Sequence, residues 1–569
     1  MLVRSSVPRA LLVPALCLLT ALVQTAPLAL HLTTCVPFGN YPAPTVVRLN
    51  LWTLWWNSDR LLHGYRDYWR APIFYPDPYS FAYSEPQWLT GLIASPFWWI
   101  SGSPAIAYNA ALLLALTLNG WCGYCLLRRL HIEFWPAVCG GMIIELIPTV
   151  ADQLGVLQST ALFPILLTLI SLLAFGRSGR PSAAMGIARS LAACFHTSSN
   201  MALFFGPIAA LGPLVFGWRW LIRPRSILSL GLPLLAAGLL VAPVVTVQSR
   251  VLEKLEPYRS PTEVADTSAH LQTYLQMPPT NLLRRRLPDR KAATLYPGAV
   301  MLVLGVLGAC AGLSQRRLRR WTIYALVAGG ISVVLSFGPL LHAVPLGSLI
   351  SAPYEFLKSY YPGFRFARNL WRFGALAQIF VATLAAIGIA ACFGAGHRPL
   401  RVALGIVATA AAFIDLLSVP VPLLDLGPRP TELQWVRWLR DSPDETTIIH
   451  LPMPTGTFAE DFLRTTYWMN CQMYHGRRIA NGYAAYVPAA PTLLMQVMQR
   501  FPDADSIHAL QYFGINHVLA SVEWASREQM SKLEQWKTTV FPELTTSEMI
   551  VYRIVGAAPE SQARRRAIP

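Results

Sequence analysis

Up to about residue 424 the chain alternates long apolar runs with short Arg-rich turns, and the length of the runs predicts membrane-crossing helices. Eleven are predicted. They run from about Leu11 to Leu30, Ala105 to Leu127, Trp135 to Val150, Thr160 to Phe175, Ala184 to Phe195 and Met201 to Trp218. The remainder run from about Ile227 to Val247, Tyr296 to Leu313, Trp321 to Leu341, Ala375 to Phe393 and Val402 to Val419. Five basic clusters fall on one side of this arrangement: Arg128/Arg129, Arg177/Arg180/Arg189, Arg219/Arg223/Arg225, Arg316/Arg317/Arg319/Arg320 and Arg398/Arg401. Basic residues accumulate in cytoplasmic turns, so the N-terminus is expected inside and everything after Asp425 outside. The first run, preceded by Arg4 and Arg9, could be a signal peptide; without a clear small-x-small cleavage site it is read as an uncleaved anchor. The short fifth and sixth helices could instead be re-entrant.

Three stretches depart from this pattern and divide the chain. Residues 1–424 read as a transmembrane domain with a Trp-rich first outer loop at 31–104 and a long outer loop at 248–295; residues 425–556 read as an outer α/β domain, and 557–569 as a disordered basic tail. In the first loop, NLWTLWWNSDRLLHG has helical spacing, with Leu51, Trp52, Leu54, Trp55 and Leu62 on one side. Such a helix is expected to lie in the membrane interface, where indole rings are favoured. The following segment is broken by Pro72, Pro76, Pro78 and Pro86 and reads as an ordered loop. In the C-terminal domain TELQWVRWLRD and ADSIHALQYFG read as helices, and TTIIHLPM, INHVLASV and EMIVYRIV as strands.

Composition agrees: 54% of the 569 residues are hydrophobic and 13% charged, and the mean hydropathy is +0.41, which excludes an ordinary soluble protein. The formal charge of +17 follows from the topological basic clusters, so nucleic acid is not expected as a partner. Nine Cys are scattered without zinc spacing. Cys122 and Cys125 form a CxxC inside an apolar helix and read as packing residues. Cys35 and Cys471 both fall on the outer side, which leaves a disulfide between them open.

Candidate chemistry lies in the first loop, which holds seven of the eighteen Trp. Asp77 and Glu85 flank the aromatic PYSFAYS segment, and Trp55 and Tyr83 are candidate substrate-binding aromatics. Burial near lipid would raise a carboxyl pKa and suit a general base. Equally, Asp77 could be the turn residue of YPDP and Glu85 a helix cap. Asp59 has His63 as an i+4 partner, and Asp67 is a weaker candidate. Asp152, in the outer turn between the third and fourth spans, is either a second carboxylate of the site or a cap. Intramembrane Glu145 is costly unless paired or functional. Three basic groups stand outside against the trend: Arg66/Arg70, Arg284/Arg285/Arg286 with Arg290 and Lys291, and Arg365/Arg368/Arg372. The last, at spacings of three and four, would share one face if helix begins there. That cluster suits an anionic lipid head or a polyprenyl phosphate, or else anchors the helix at headgroup depth. The run at 284–291 reads as solvated surface.

The order of NLWTLWW, APIFYPD and SEPQWLTG, then SAHLQTYLQMPP, PGFRFARNLWRFG and the outer HLPM, YHGRRIANGY and YFGINHVLA resembles the GT-C superfamily of integral membrane glycosyltransferases. Among these it is most similar to bacterial members grouped with YfhO-like membrane proteins. The resemblance implies inverting transfer of a sugar from a polyprenyl-phosphate donor on the outer leaflet of the bacterial cytoplasmic membrane. It also implies an acid of the first outer loop as base, often with a divalent cation such as Mg or Mn. One departure matters: the family often carries a Gly-Asp pair before the Trp-rich helix, whereas FGNYPAPTVVRLNLW has no acid between Gly39 and Trp52. Asp77 or Glu85 is expected to take over, or the chemistry is lost and the chain binds or transports lipid-linked glycans. A third reading is a membrane anchor that presents the outer domain to a partner.

Overall fold

The computed structural model describes residues 9–39, 43–254, 261–278, 280–283, 295–343, 351–394, 398–525 and 531–557. The run at 284–291 and the C-terminal tail lie outside the described residues. All eleven predicted spans are helical. Seven of the described helices are long and apolar enough to cross a membrane: Pro104–Arg129, Phe134–Asp152, Leu157–Ser178, Ser199–Leu221, Ser226–Glu253, Leu370–Gly394 and Pro399–Leu416. The chain is therefore an integral multi-pass membrane protein. The other four fall short of the expectation of eleven. Arg9–Gln24, Pro181–Thr197 and Ala299–Ser314 have 16, 17 and 16 residues, so at 1.5 Å per residue they reach about 25 Å against about 30 Å of hydrocarbon. Arg319–Ser336 has 18 residues but opens on two arginines.

Two compact units are present. The first comprises Met1–Tyr41, Asn109–Pro243 and Tyr258–Leu424; the second comprises Pro42–Tyr108, Val244–Pro257 and Asp425–Pro569. Small residues set the close packing of the first. A Cβ added to Gly308 would strike the backbone carbonyl of Leu384, and one on Gly388 that of Leu304, so Ala299–Ser314 and Phe373–Gly394 meet backbone to backbone. Gln378 is buried among these helices and fully used: its Oε1 accepts from the Thr149 amide (3.0 Å) and hydroxyl (2.8 Å), and its Nε2 donates to the Leu295 carbonyl at 3.0 Å. Cys122 is buried and Cys125 half-buried, and all nine cysteines, Cys35 and Cys471 included, are free.

The second unit contains α1 (Thr45–Leu62), α2 (Trp88–Ser101), α3 (Gln434–Asp441), α4 (Leu463–His475), α5 (Ala489–Val497) and α6 (Ala504–Phe513). Its strands are β1 (Thr447–Leu451), β2 (Arg478–Ile479), β3 (His517–Ser521), β4 (Val540–Thr545) and β5 (Met549–Ile554), in the order β2-β1-β3-β5-β4. The first three are parallel, and β5 is antiparallel to both β3 and β4. Asp503 caps α6, accepting from the Ser506 amide at 2.9 Å while the Ser506 hydroxyl accepts from the Asp503 amide at 3.0 Å.

The Trp-rich helix turns Trp52 and Trp56 into a protein core. Trp52 and Trp56 are 0% and 4% exposed and belong to one apolar core with Phe74, Phe81, Trp435 and Trp468. The physical reason is partner supply: the Trp52 indole donates to Gln472 Oε1 (2.9 Å) and that of Trp56 to the Tyr68 carbonyl (3.0 Å), so the rings are satisfied inside the protein. The loop after α1 then docks on the sheet edge. The Ile479 amide donates to the Pro72 carbonyl (3.0 Å), the Tyr75 amide to the Ile479 carbonyl (3.0 Å) and the Phe74 amide to the Asn481 carbonyl (3.1 Å).

Candidate functional site

In the second unit, a cleft of about 340 Å³ opens where the C-terminal ends of α1 and α4 meet the loop. Trp55 and Trp56 form an aromatic wall, and Asp59, Asp67, Asp77, Arg60, Arg70 and Arg478 bring alternating charge. Asp77 and Trp55, both candidates from the sequence, line one cleft. Both carboxylate oxygens of Asp77 accept hydrogen bonds: one from the Tyr79 amide at 2.7 Å, the other from the Tyr83 hydroxyl at 2.8 Å. The Asp77 amide itself donates to the Phe74 carbonyl at 2.9 Å, so the turn reading of YPDP is realised as well. Tyr83 is buried, and its phenol pKa is pushed up, first by burial and then by the Asp77 carboxylate. Asp59 pairs with Arg60, whose guanidinium also lies 4.5 Å from the Trp56 ring centre, and its carboxylate is 3.8 Å from His63. Asp67 lies 3.6 Å from Arg70. Glu85 does not line this cleft; it stands two residues before Gln87, the N-cap of α2, whose side chain makes no capping bond.

In the first unit, Asp152 ends the short helix Pro148–Asp152 and is 3% exposed. Gly39, with φ of +68°, approaches it so closely that a Cβ there would lie 2.5 Å from the Asp152 carbonyl oxygen. Only glycine tolerates that approach in that conformation. Arg365, Arg368 and Arg372 do not share a helical face. Phe364–Phe366 and Leu370–Arg372 are separate 3₁₀ turns, Asn369 between them has φ of +58°, and the long helix begins only at Phe373. The residues diverge accordingly: Arg365 is exposed over the Phe366 ring, Arg368 lies 3.7 Å from Glu263, and Arg372 is half-buried beside Trp371. Glu145 is fully buried in its span, with neither carboxyl oxygen hydrogen-bonded among the described residues.

A divalent cation does not fit these donors. Asp59 and Asp67 each neighbour a guanidinium, Asp77 is held by a phenol and an amide, and among the described residues no group of three His, Cys, Asp or Glu is placed to hold a metal. The sequence expectations left out Arg478 and Gln472 as cleft residues. Arg478 stands in the quoted YHGRRIANGY motif, but only the pairing of β2 with the loop brings it to Tyr75, whose ring centre is 5.6 Å away.

No protein-family model matches the chain, and no curated protein does. Among solved structures, the cryo-EM structure of the arabinofuranosyltransferase AftD from Mycobacteria is similar in fold, with a TM-score of 0.54 at 14% identity over 98% of this chain. The chain spans 40% of the length of AftD. ArnT from Cupriavidus metallidurans, a structure bound to undecaprenyl phosphate, covers 97% of the chain at 13% identity, but its TM-score of 0.40 is too low to carry an argument. The fold is thus similar to that of part of the arabinofuranosyltransferase AftD.

Proposed function

We propose that this protein is a GT-C-type glycosyltransferase of the YfhO-like bacterial branch. It transfers a sugar from a polyprenyl-phosphate donor to a cell-envelope acceptor on the outer leaflet of the cytoplasmic membrane. The observation that carries this reading is the contact of Asp152 with Gly39. The resemblance implies an acid beside the glycine that precedes the Trp-rich helix; the neighbouring sequence lacks it, and the backbone carbonyl of Asp152, a buried acidic residue from another turn, stands against that glycine. In this reading Asp152 takes the proton of the acceptor hydroxyl as its oxygen attacks the anomeric carbon. The bond from that carbon to the phosphate oxygen breaks with inversion, and the polyprenyl phosphate leaves with the electron pair. Arg365, Arg368 and Arg372 are the candidate phosphate partners, because guanidinium groups match phosphate oxygens in charge and geometry. Asp77 and Trp55 line the charged and aromatic cleft of the second unit, which suits a glycan, and Tyr83 holds the Asp77 carboxylate there.

The test is transfer of radiolabelled sugar in membranes containing polyprenyl-phosphate sugars, with variants at matched folded levels. Asp152→Asn is expected to lower the rate at least about 100-fold, the usual contribution of a general base. Asp77→Asn is expected to raise the KM for acceptor more than it lowers kcat. Full activity in Asp152→Asn would remove Asp152 as the base. One observation favours a second reading, in which the chain binds or transports lipid-linked glycans without catalysis: Asp59, Asp67 and Asp77 are all already partnered. Absence of transfer with every donor, alongside retained polyprenyl-phosphate binding that Arg372→Gln abolishes, would establish it.

A further inference from the structure

A second cleft, of about 290 Å³, lies at the opposite end of the α1–α4 pair. The two helices run side by side: Thr45 Oγ1 donates to the Ala459 carbonyl (2.7 Å), Asn470 Nδ2 to the Arg48 carbonyl (2.9 Å) and the Trp52 indole to Gln472 (2.9 Å). Arg48 and Tyr467 therefore flank one mouth, eight residues along α1 from the Trp56 cleft, about 12 Å at 1.5 Å per residue.

The chemistry of this second cleft is asymmetric. Arg48 is half-buried on one wall, donating to the Leu463 carbonyl at 3.2 Å with its guanidinium 5.5 Å from the Tyr467 ring centre. It forms no ion pair among the described residues, and burial lowers its pKa, the mark of a cation that has lost water without gaining a carboxylate. Glu548 stands on another wall, accepting from the Trp435 indole at 3.3 Å. It keeps acceptor capacity for further donors, since a carboxylate offers about four lone-pair sites. Trp435 and Trp468 give an apolar floor, and Arg464 at the rim is already committed to Glu523 at 2.9 Å. A ligand that satisfies all of this carries one anionic group for Arg48, hydroxyl donors for Glu548 and an apolar face for the indole floor. The volume admits one ring-sized unit.

We propose that this cleft is a binding site for an acidic sugar residue, a carboxylate-bearing pyranose at the end or along the backbone of an envelope glycan. It is independent of the transfer reading, because neither Asp152 nor any residue of the Trp56 cleft takes part in it. The test uses the full chain in detergent micelles, titrated calorimetrically and by saturation-transfer NMR with methyl glucuronide, methyl glucoside and benzoate. Methyl glucuronide is expected to bind at least tenfold more tightly than methyl glucoside, which has the same ring without the carboxylate. Benzoate, a carboxylate without hydroxyl donors, is expected to be weaker than the glucuronide by a similar factor. Arg48→Gln should reduce glucuronide binding to the glucoside level, and Glu548→Gln should weaken both sugars while its amide oxygen still accepts from Trp435. Equal binding of the two sugars, or benzoate as the tightest ligand, would overturn the assignment. The comparison of ligands on the unmodified protein decides the matter even where Arg48→Gln fails to fold.

Discussion

His450 shows how a single buried side chain fixes a pH limit for the second unit. Its ring stacks on Trp468, with centres 4.8 Å apart and planes 15° apart, and Trp435 closes the other side at 5.7 Å. Burial drives its pKa down to about 3, with Asn481 offsetting part of the effect. Since the unfolded imidazole titrates near 6.5, the unfolded chain binds the extra proton first as pH falls. The stability present above pH 6.5 is therefore lost progressively down to pH 3, by about 3 kcal/mol at pH 4.5 from this residue. His475 is displaced in the same direction, first by burial and then by His450 and Arg477. The thermal midpoint followed by near-UV circular dichroism is expected to fall between pH 7 and 4.5, and less steeply in His450→Phe; equal slopes would sink this account. At this scale the sequence was partly legible. Asp77 in YPDP announced its turn. Nothing in the sequence announced that Gly39 would meet Asp152 or that Arg48 would pair with no carboxylate among the described residues, because each fact depends on residues more than a hundred positions away.

At the scale of elements, apolar periodicity located the helices, and glycine decided how they meet. Gly308→Leu places a side chain against the Leu384 carbonyl, where backbone rather than a mobile side chain must give way. The expected cost is about 3 kcal/mol or more, read as a large drop in the thermal midpoint of the purified protein. Gly330, on Arg319–Ser336, has nothing within 4 Å of an added Cβ. Gly330→Ala is thus expected to be neutral or to raise the midpoint, through helix propensity worth up to about 1 kcal/mol; a loss matching that of Gly308→Leu would refute the packing explanation. Elements that spacing misread have equally physical causes. The Arg365/Arg368/Arg372 pattern looked helical, but Asn369 in a left-handed conformation interrupts it. The segment LRTTYWMNCQMYH, rich in weak helix formers, nevertheless forms α4 because α1 and the sheet bury its Trp468, Met469 and Cys471. Burial pushes the Cys471 thiol up to about 12, so it stays an inert packing group.

For the whole molecule, the core of the C-terminal domain is shared with a segment some 350 residues earlier in the chain: Trp52, Trp56, Phe74 and Phe81 pack with Trp435, Ile448 and Trp468. Residues 425–557 produced alone are expected to lack near-UV circular dichroism and to aggregate, whereas a fusion that supplies residues 43–108 restores a cooperative transition. Cooperative folding of residues 425–557 by themselves would contradict the shared core.

The sequence by itself determined the membrane class, the helical segments and most strands of the C-terminal domain. Those follow from local periodicity and from the cost of leaving backbone polar groups unpaired in hydrocarbon. It also supplied the types of charged and aromatic residue available for chemistry. Tertiary structure alone decided which of them stand together: the loop paired to the sheet edge gathers Asp77, Trp55 and Arg478 around one cleft, and a separate turn brings the Asp152 backbone against Gly39. The reason is that hydrogen-bond pairing and backbone contact between distant segments leave no periodic mark in either segment. They are settled only when burial of the intervening apolar side chains fixes how the chain returns on itself.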